Sequence, residues 1–349
     1  MGDAIVGVVA NPLSGRDIRR LVTQASVFPT AEKANMIQRM LTAFGAVGVH
    51  RVLLSTDLGG ISAAVFRAIG RRSGQHRGQH GGQHSPWPDV EFLDGQPIRQ
   101  SAQDTVEAVR RMVTAGARVI VCLGGDGTAR VAASAAGEVP MLALSTGTNN
   151  VFPAVREATV AGLAAGLVAT GAVPADAVTS QAKLLEARAG ERAEIALVDV
   201  AVSTERHVGA RAVWDPATVS QLFCAFAEPD AIGLSSILGQ LLPVARHEPH
   251  GVTARMTPGA ARQVLAPIAP GLVVPVGVSE VERMAPGSVH PVDARAGVIA
   301  VDGERELTFE PGEYPTVRLR PDGPRCVDVP AVLAMSARLG LLRRTGPNV

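Results

Sequence analysis

Lysine is nearly missing from this chain of 349 residues: Lys33 and Lys183 are the only two, so almost all positive charge is arginine. That excludes a Walker-type loop, which needs a lysine beside its glycines, and leaves phosphate contacts to guanidinium groups or backbone amides. An excess of one charge is missing too. With 33 basic residues spread against 32 acidic ones, the formal net charge is +1. No broad basic face results, and nucleic acid is excluded as the main partner. Cysteine is scarce, odd in number and scattered: Cys122, Cys224 and Cys326 sit in apolar stretches and are expected to be reduced core thiols. The opening MGDAIVGVVANPLSG has no basic region followed by a long apolar run, so it reads as a first strand, and the expected location is cytoplasmic. Residues 158–175 carry no charge, yet Gly162, Gly166, Gly171 and Pro174 interrupt them. A buried helix is expected there, and no membrane partner.

What is present is an ordinary globular composition, 46% hydrophobic and 19% charged, long enough for two domains. Apolar runs at 4–10, 50–56, 90–94, 117–125 and 139–146 alternate with helical patterns near 31–44, 60–71, 102–115 and 127–136. This rhythm predicts a doubly wound parallel sheet, an α/β domain over 1–175. Within it, GQHRGQHGGQH makes 73–86 a low-complexity insertion, expected to be flexible rather than a metal site, because it offers histidine without carboxylate or cysteine. From 176 to 349 the texture changes to short strands broken by Gly and Pro, predicting a mainly β domain. One helix near 216–227 is expected to interrupt it, and the amphipathic 329–342 is expected to pack back on the body.

Ligands of an open parallel sheet bind beyond the carboxyl ends of its strands. Three segments there are small, polar and glycine-bearing: NPLSGRDIRR at 11–20, GGDGT at 124–128 and STGTNNVFP at 145–153. Glycines at a strand-to-helix turn let backbone N–H groups approach phosphate, in the direction the helix start also favours. For any single loop, a tight turn with Asp126 capping a helix and Asn149 and Asn150 in turn positions is an equally good account. Three together point to a nucleotide site. The spacing is not the Gly-x-Gly-x-x-Gly of a dinucleotide fold, and a carboxylate facing phosphate needs a partner, either a magnesium ion or an attacking hydroxyl. Both mean phosphoryl transfer.

GGDGT after one strand and Gly-Thr-Asn after the next resemble the superfamily of NAD kinases, diacylglycerol kinases and sphingosine kinases. With SVFPTAEKANM and FAEPDAIGLSSILG added, nearly the whole chain resembles the acetoin catabolism protein X group of the ATP-NAD kinase-like family. The resemblance implies an α/β domain plus a β domain with ligands between them. It also implies Mg²⁺, ATP as donor and NAD as acceptor, with Asp126 meeting the acceptor hydroxyl as base and Gly124, Gly125, Gly127 and Thr128 near the phosphates. Asn11, Ser14 and Gly15, with Thr146, Gly147, Thr148, Asn149 and Asn150, match the Asn-Pro-x-Ser-Gly and Gly-Thr-x-Asn signatures of the lipid kinases. Homo-oligomers, dimers or tetramers, are implied as well.

Two positions depart from the pattern or admit a plainer account. Where NAD kinases carry an Asn before an acid, this chain has Val198 before Asp199, and Asp199 reads either as a ligand or as a solvated outer-face residue. Asp302 and Glu304 match an Asp-Gly-Glu turn of the lipid kinases, while Asp302-Gly303 is equally an ordinary hairpin turn. The expected activity is ATP-dependent phosphorylation of the adenosine ribose of NAD or a related nucleotide. The alternatives are a lipid or small-alcohol kinase and a nucleotide-binding sensor without catalysis.

Overall fold

The computed structural model describes residues 3–15, 24, 28–75, 87–95, 97–147, 149–205, 211–213 and 215–344. Five parallel strands, β1 (Ile5–Ala10), β2 (Arg51–Ser55), β3 (Asp89–Leu93), β4 (Val119–Gly124) and β5 (Met141–Ser145), lie in the order β3-β2-β1-β4-β5. They alternate with α1 (Thr30–Ala46), α2 (Ile61–Gln75), α3 (Ala102–Thr114) and α4 (Asp126–Ala136). This is the doubly wound sheet that the sequence rhythm predicts. Its central strand VIVCLG is buried throughout, as a strand covered on both faces must be. Met40, Phe44 and Val65 pack with α5 (Ala158–Ala169) on one face, while Val109, Met112 and Ala132 cover the other. Because the strand order reverses between β1 and β4, the loops after these two strands diverge and leave a crevice.

The uncharged stretch becomes α5, of 12 residues and therefore about 18 Å long, well short of a hydrocarbon core of about 30 Å. Among the described residues no helix is long and apolar enough to cross a membrane. Its glycines serve packing: a Cβ on Gly166 would lie 2.5 Å from Val47 Cγ2, and one on Gly162 2.9 Å from Ala43 Cβ, so α1 can lie against it closely.

After β6 (Thr179–Gln181) come β7 (Leu184–Ala189), β8 (Arg192–Ala196), β9 (Asp199–Ser203) and β10 (Val219–Cys224). The short helix α6 (Ser235–Leu241) precedes β11 (Gly251–Met256), β12 (Gln263–Ala269), β13 (Leu272–Met284), β14 (Val289–Pro291), β15 (Gly297–Val301), β16 (Glu304–Phe309) and β17 (Thr316–Arg320). One sheet runs β12-β13-β11-β10-β9-β15-β16 and a second β14-β17-β7-β8. Leu185, Val200, Phe223, Ile299 and Leu319 fill the space between them, and Ile237 and Leu238 of α6 cover the other face of the larger sheet. The chain then returns: β18 (Arg325–Val327) pairs in parallel with β5 and antiparallel with β6, and α7 (Val329–Leu339) packs on α5.

Two expectations change. Residues 216–227 hold a 3-10 turn, Pro216–Thr218, and then the strand β10 rather than a helix. Lying between β9 and β11 and buried on both faces, VSQLFC lacks the alternation that marks a half-exposed strand. The low-complexity insertion begins inside α2, which runs through Gln75, and residues 76–86 lie outside the described residues. The three cysteines are free, and burial pushes the Cys122 thiol up to about 12 and the Cys326 thiol to about 11.

Lys183, just before β7, is buried and donates to the carbonyls of Ala245 (3.2 Å) and His250 (2.7 Å), so one ammonium pins both ends of the segment between α6 and β11. Burial pulls its pKa down to about 8, against the opposing charges of Glu248 and Glu228. Since an unfolded lysine titrates near 10.4, the folded chain binds fewer protons between these values, and stability attributable to Lys183 rises with pH across that window. Wild type should therefore gain stability relative to Lys183→Met between pH 8 and 10 in urea denaturation. A pH-independent difference would refute the assignment.

Candidate functional site

Where β1 ends, the backbone continues along the sheet by one more bond, Asn11 N–H to the Leu123 carbonyl (3.0 Å), and then turns. Asn11 makes the turn itself: its Oδ1 accepts from the Leu13 amide (2.8 Å) while its Nδ2 donates to Thr128 Oγ1 (2.9 Å) on α4. Ser14 Oγ donates to the Asn11 carbonyl (3.1 Å) and lies 2.8 Å from Thr146 Oγ1. Beneath the loop sits Lys33, fully buried on α1, whose ammonium donates to the carbonyls of Asn11 (2.9 Å), Pro12 (3.4 Å) and Ser14 (3.0 Å).

The second loop is made by close approach. A Cβ on Gly124 would lie 2.4 Å from Thr128 Cβ, so only glycine lets α4 start this near its own strand. Gly125 faces Asn150, whose carboxamide is anchored on Ser145 Oγ (2.9 Å) and would meet a Gly125 Cβ at 2.7 Å. Gly147 meets the same carboxamide from the other side. Asp126, the first residue of α4, turns its carboxylate to the third loop: Oδ1 accepts from the Phe152 amide (2.7 Å), and both oxygens accept from the Val151 amide (3.0 and 3.1 Å). It does not cap its own helix, as the plainer account has it.

These loops line one cleft of about 530 Å³, within the range of about 300–1,000 Å³ usual for small-ligand sites. Asn11, Ser14, Gly15, Gly125, Asp126, Gly127, Thr128, Asn149 and Asn150 line it from the α/β domain, and Asp302 and Glu304 from the β domain. Gly124, Thr146 and Gly147 stand directly behind the loops. Thr148 lies outside the described residues. Asn149 Oδ1 is buried with no hydrogen-bond partner among the described residues, and the Glu304 carboxylate, the nearest side chain to Gly127, accepts no hydrogen bond among them either.

Asp302 and Asp199 are placed differently from each other. Asp302 does occupy a turn with positive φ (49°), but its buried carboxylate points into the β domain and accepts from the amides of Leu197 (3.0 Å), Val198 (2.8 Å) and Asp199 (3.3 Å). Burial raises its pKa, opposed by Arg130 and these amides. Asp199 is buried on β9 opposite Cys224, neither solvated on an outer face nor part of the cleft lining, because β10 and β15 flank its strand.

Two arginines of the site escape a reading by sequence. Arg130, four residues after Asp126 and buried, pairs with Glu306 (2.9 Å), Glu194 (3.3 Å) and Asp302 (3.7 Å), all in the β domain. The signal available was position: i+4 from Asp126 is the same helix face. Arg246 reaches from the β domain to the carbonyls of Val151 and Phe152, and no spacing announces it. Among the described residues no three His, Cys, Asp or Glu side chains converge as a metal centre.

A methyl group on Gly125 has to displace the anchored Asn150, so Gly125→Ala should destabilise by about 1–3 kcal/mol in urea denaturation. Gly70→Ala, in open space on α2, should be neutral or stabilising by less than about 1 kcal/mol. Equal effects of the two substitutions would show that the loop is not closely packed.

Comparison with known proteins agrees with this two-part architecture. Residues 6–173 match the ATP-NAD kinase N-terminal domain, a kinase-like nucleotide-binding fold, and residues 183–322 match the acetoin catabolism protein X C-terminal domain. Acetoin catabolism protein X of Cupriavidus necator is 42% identical over 346 residues, covering 97% of this chain and 94% of its own. A solved NAD kinase from Archaeoglobus fulgidus in complex with ATP aligns over 85% of this chain and all of its own at 14% identity, with a TM-score of 0.38. On the breadth of the 42% match, together with both domain matches, this chain belongs to the acetoin catabolism protein X family.

Proposed function

We propose that this protein transfers a phosphoryl group from ATP to a ribose hydroxyl of NAD or a related nucleotide, with Asp126 as the base. The observation that carries the reading is the carboxylate of Asp126 at the mouth of α4. It is set between two glycines, oriented by two backbone amides, and open to a cleft lined by three glycine-bearing loops. Phosphate is tolerated beside a carboxylate where amides and a helix start supply compensating positive charge; the 125–128 turn opens α4, and the 11–15 turn adds backbone amides. The hydroxyl to be phosphorylated would give its proton to Asp126 as its oxygen attacks the γ-phosphorus, while the leaving oxygen departs with the diphosphate. Most of the rate would come from positioning, for which the interlocked side chains of Asn11, Ser14, Thr128 and Asn150 are suited.

The residues present fit a magnesium ion bound mainly through the nucleotide, which needs one or two carboxylates beside the phosphates; Glu304, facing Gly127 with no hydrogen bond among the described residues, would supply one. When bound, the ion would neutralise charge on the β- and γ-phosphate oxygens.

A second reading concerns the acceptor. Where NAD kinases hold the dinucleotide with an Asn, this chain has Val198, whose amide is already taken by Asp302. That favours a small alcohol in place of the dinucleotide. Incubation with Mg²⁺, ATP and a panel of NAD, NADH, nucleosides, small alcohols and a diacylglycerol, read by ³¹P NMR and mass spectrometry, separates them. A phosphorylated dinucleotide is expected; phosphate on a small alcohol establishes the second reading, and a lipid product or none overturns both. Asp126→Asn should lower turnover by roughly a hundredfold or more with ATP affinity preserved. If turnover survives Asp126→Asn but collapses in Glu304→Gln, Glu304 is the base.

A further inference from the structure

We propose that Arg246 is a positioning residue for Asp126 and acts through the peptide group joining Val151 to Phe152. This rests on the reading of Asp126 as the base. One face of that peptide is the amide donated to Asp126 Oδ1, the shortest bond the carboxylate receives from these amides (2.7 Å). The other face is the Val151 carbonyl, and it accepts from Arg246 Nη2. Arg246 Nη1 takes the next carbonyl, Phe152, at 2.8 Å. The planar guanidinium thus holds two consecutive carbonyls at once, fixing the plane of the peptide between them.

The physical effect follows from polarisation. A carbonyl oxygen bound by a cation draws electron density across its amide and makes the N–H on the far side a stronger donor. Cation, peptide and carboxylate form a line, Arg246 to Val151–Phe152 to Asp126, in which one positive charge outside the cleft steadies a negative one inside it. The same turn carries Asn150, wedged between Gly125 and Gly147, so a rotation of the 151–152 peptide would also disturb the glycine loops.

Arg246 is itself held firmly. Its guanidinium lies over the Phe226 ring, 4.4 Å from the centroid, and its Nε donates to Glu228 (2.9 Å). On either side the backbone is tied down, by the Ala227–Val244 bridge and by Lys183 on the carbonyls of Ala245 and His250. The β domain therefore presents a fixed cation to the loop that orients the proposed base. A lysine here would keep the charge and reach one carbonyl but would lose the planar fork.

The test uses the full chain in three variants, Arg246→Ala, Arg246→Lys and Asp126→Asn, with the Phe152 amide read by TROSY NMR and hydrogen exchange. That amide should move upfield in both Arg246→Ala and Asp126→Asn, and its exchange should rise by about tenfold in Arg246→Ala. In steady-state kinetics Arg246→Ala should lower kcat by about tenfold with KM for ATP within about twofold, and Arg246→Lys should recover part of the loss. A folded Arg246→Ala protein whose Phe152 amide is unmoved overturns the proposal, as does a variant that loses thermal stability while kcat is unchanged. If no acceptor is phosphorylated at all, the kinase reading fails while the amide measurement still decides the role of Arg246. Should Arg246→Ala not fold, Glu228→Ala, which removes the acceptor of Arg246 Nε, is read in the same way, with a smaller shift of the Phe152 amide expected and an unmoved one overturning the proposal.

Discussion

A loop can turn its N–H groups toward a ligand only if its carbonyls are satisfied elsewhere, and that constraint organises this molecule. After β1 the solution is Lys33, whose buried ammonium takes three carbonyls of the 11–14 turn from below. An ammonium suits this task because it is a compact point charge with three donors that rotate freely, while a guanidinium would need its acceptors in one plane. Lys183 does the same under the 245–250 segment. In a chain that otherwise uses arginine for its positive charge, both lysines stand under loops. Each lysine thus serves a cluster of carbonyls inside, while Arg130 and Arg246 reach between the two domains.

Arg130 couples the domains most directly. Asp126 and Arg130 share one face of α4, so a single turn of helix carries both the cleft carboxylate and the ion cluster with Glu194, Asp302 and Glu306. Burying a guanidinium costs several kcal/mol of solvation, which one partner does not recover. Three carboxylates in the β domain make the arrangement tenable and fix where α4 meets that domain. Asp302 belongs to both systems. Its carboxylate closes the β8–β9 corner through three amides and also faces Arg130, so the corner and the helix are registered against one side chain.

The α/β half was legible because its strands and helices obey different periods and its strand ends carry glycine. At Gly124 and Gly125 the sequence admits a phosphate approach or a tight turn, and the structure shows close protein packing at both, against Thr128 and Asn150. Strand β10 was not legible, since its VSQLFC is buried on both faces yet carries polar Ser220 and Gln221, and so shows neither the alternation of a half-exposed strand nor an unbroken apolar run. Asp302 illustrates a subtler limit: an Asp-Gly turn is visible in sequence, but which way its carboxylate points depends on amides of residues 197–199, about a hundred positions away. Arg246 lies beyond sequence reasoning for the same reason. Its partners are backbone carbonyls, which every residue possesses and no motif records.

The cleft groups differ in how they are satisfied, and the difference bears on what each wall meets. Asn11, Ser14, Thr128 and Thr146 bond to one another or to the backbone around them, and Asn150 to Ser145 Oγ, so their geometry is set before any ligand arrives. Such a surface suits a rigid, multiply charged group that binds chiefly to amides, as phosphate does. Asn149 Oδ1 and the Glu304 carboxylate have no hydrogen-bond partners among the described residues. Only Asn149 Oδ1 is buried as well, and a buried acceptor left unpaired costs about 1–3 kcal/mol. A ligand that brings hydroxyl or amino hydrogens to Asn149 Oδ1 recovers that cost, whereas one presenting only acceptors there does not. On the proposed reading, phosphates belong against the glycine loops with Glu304 beside their magnesium ion, and a hydroxyl-bearing or amino-bearing part of the substrate would meet Asn149.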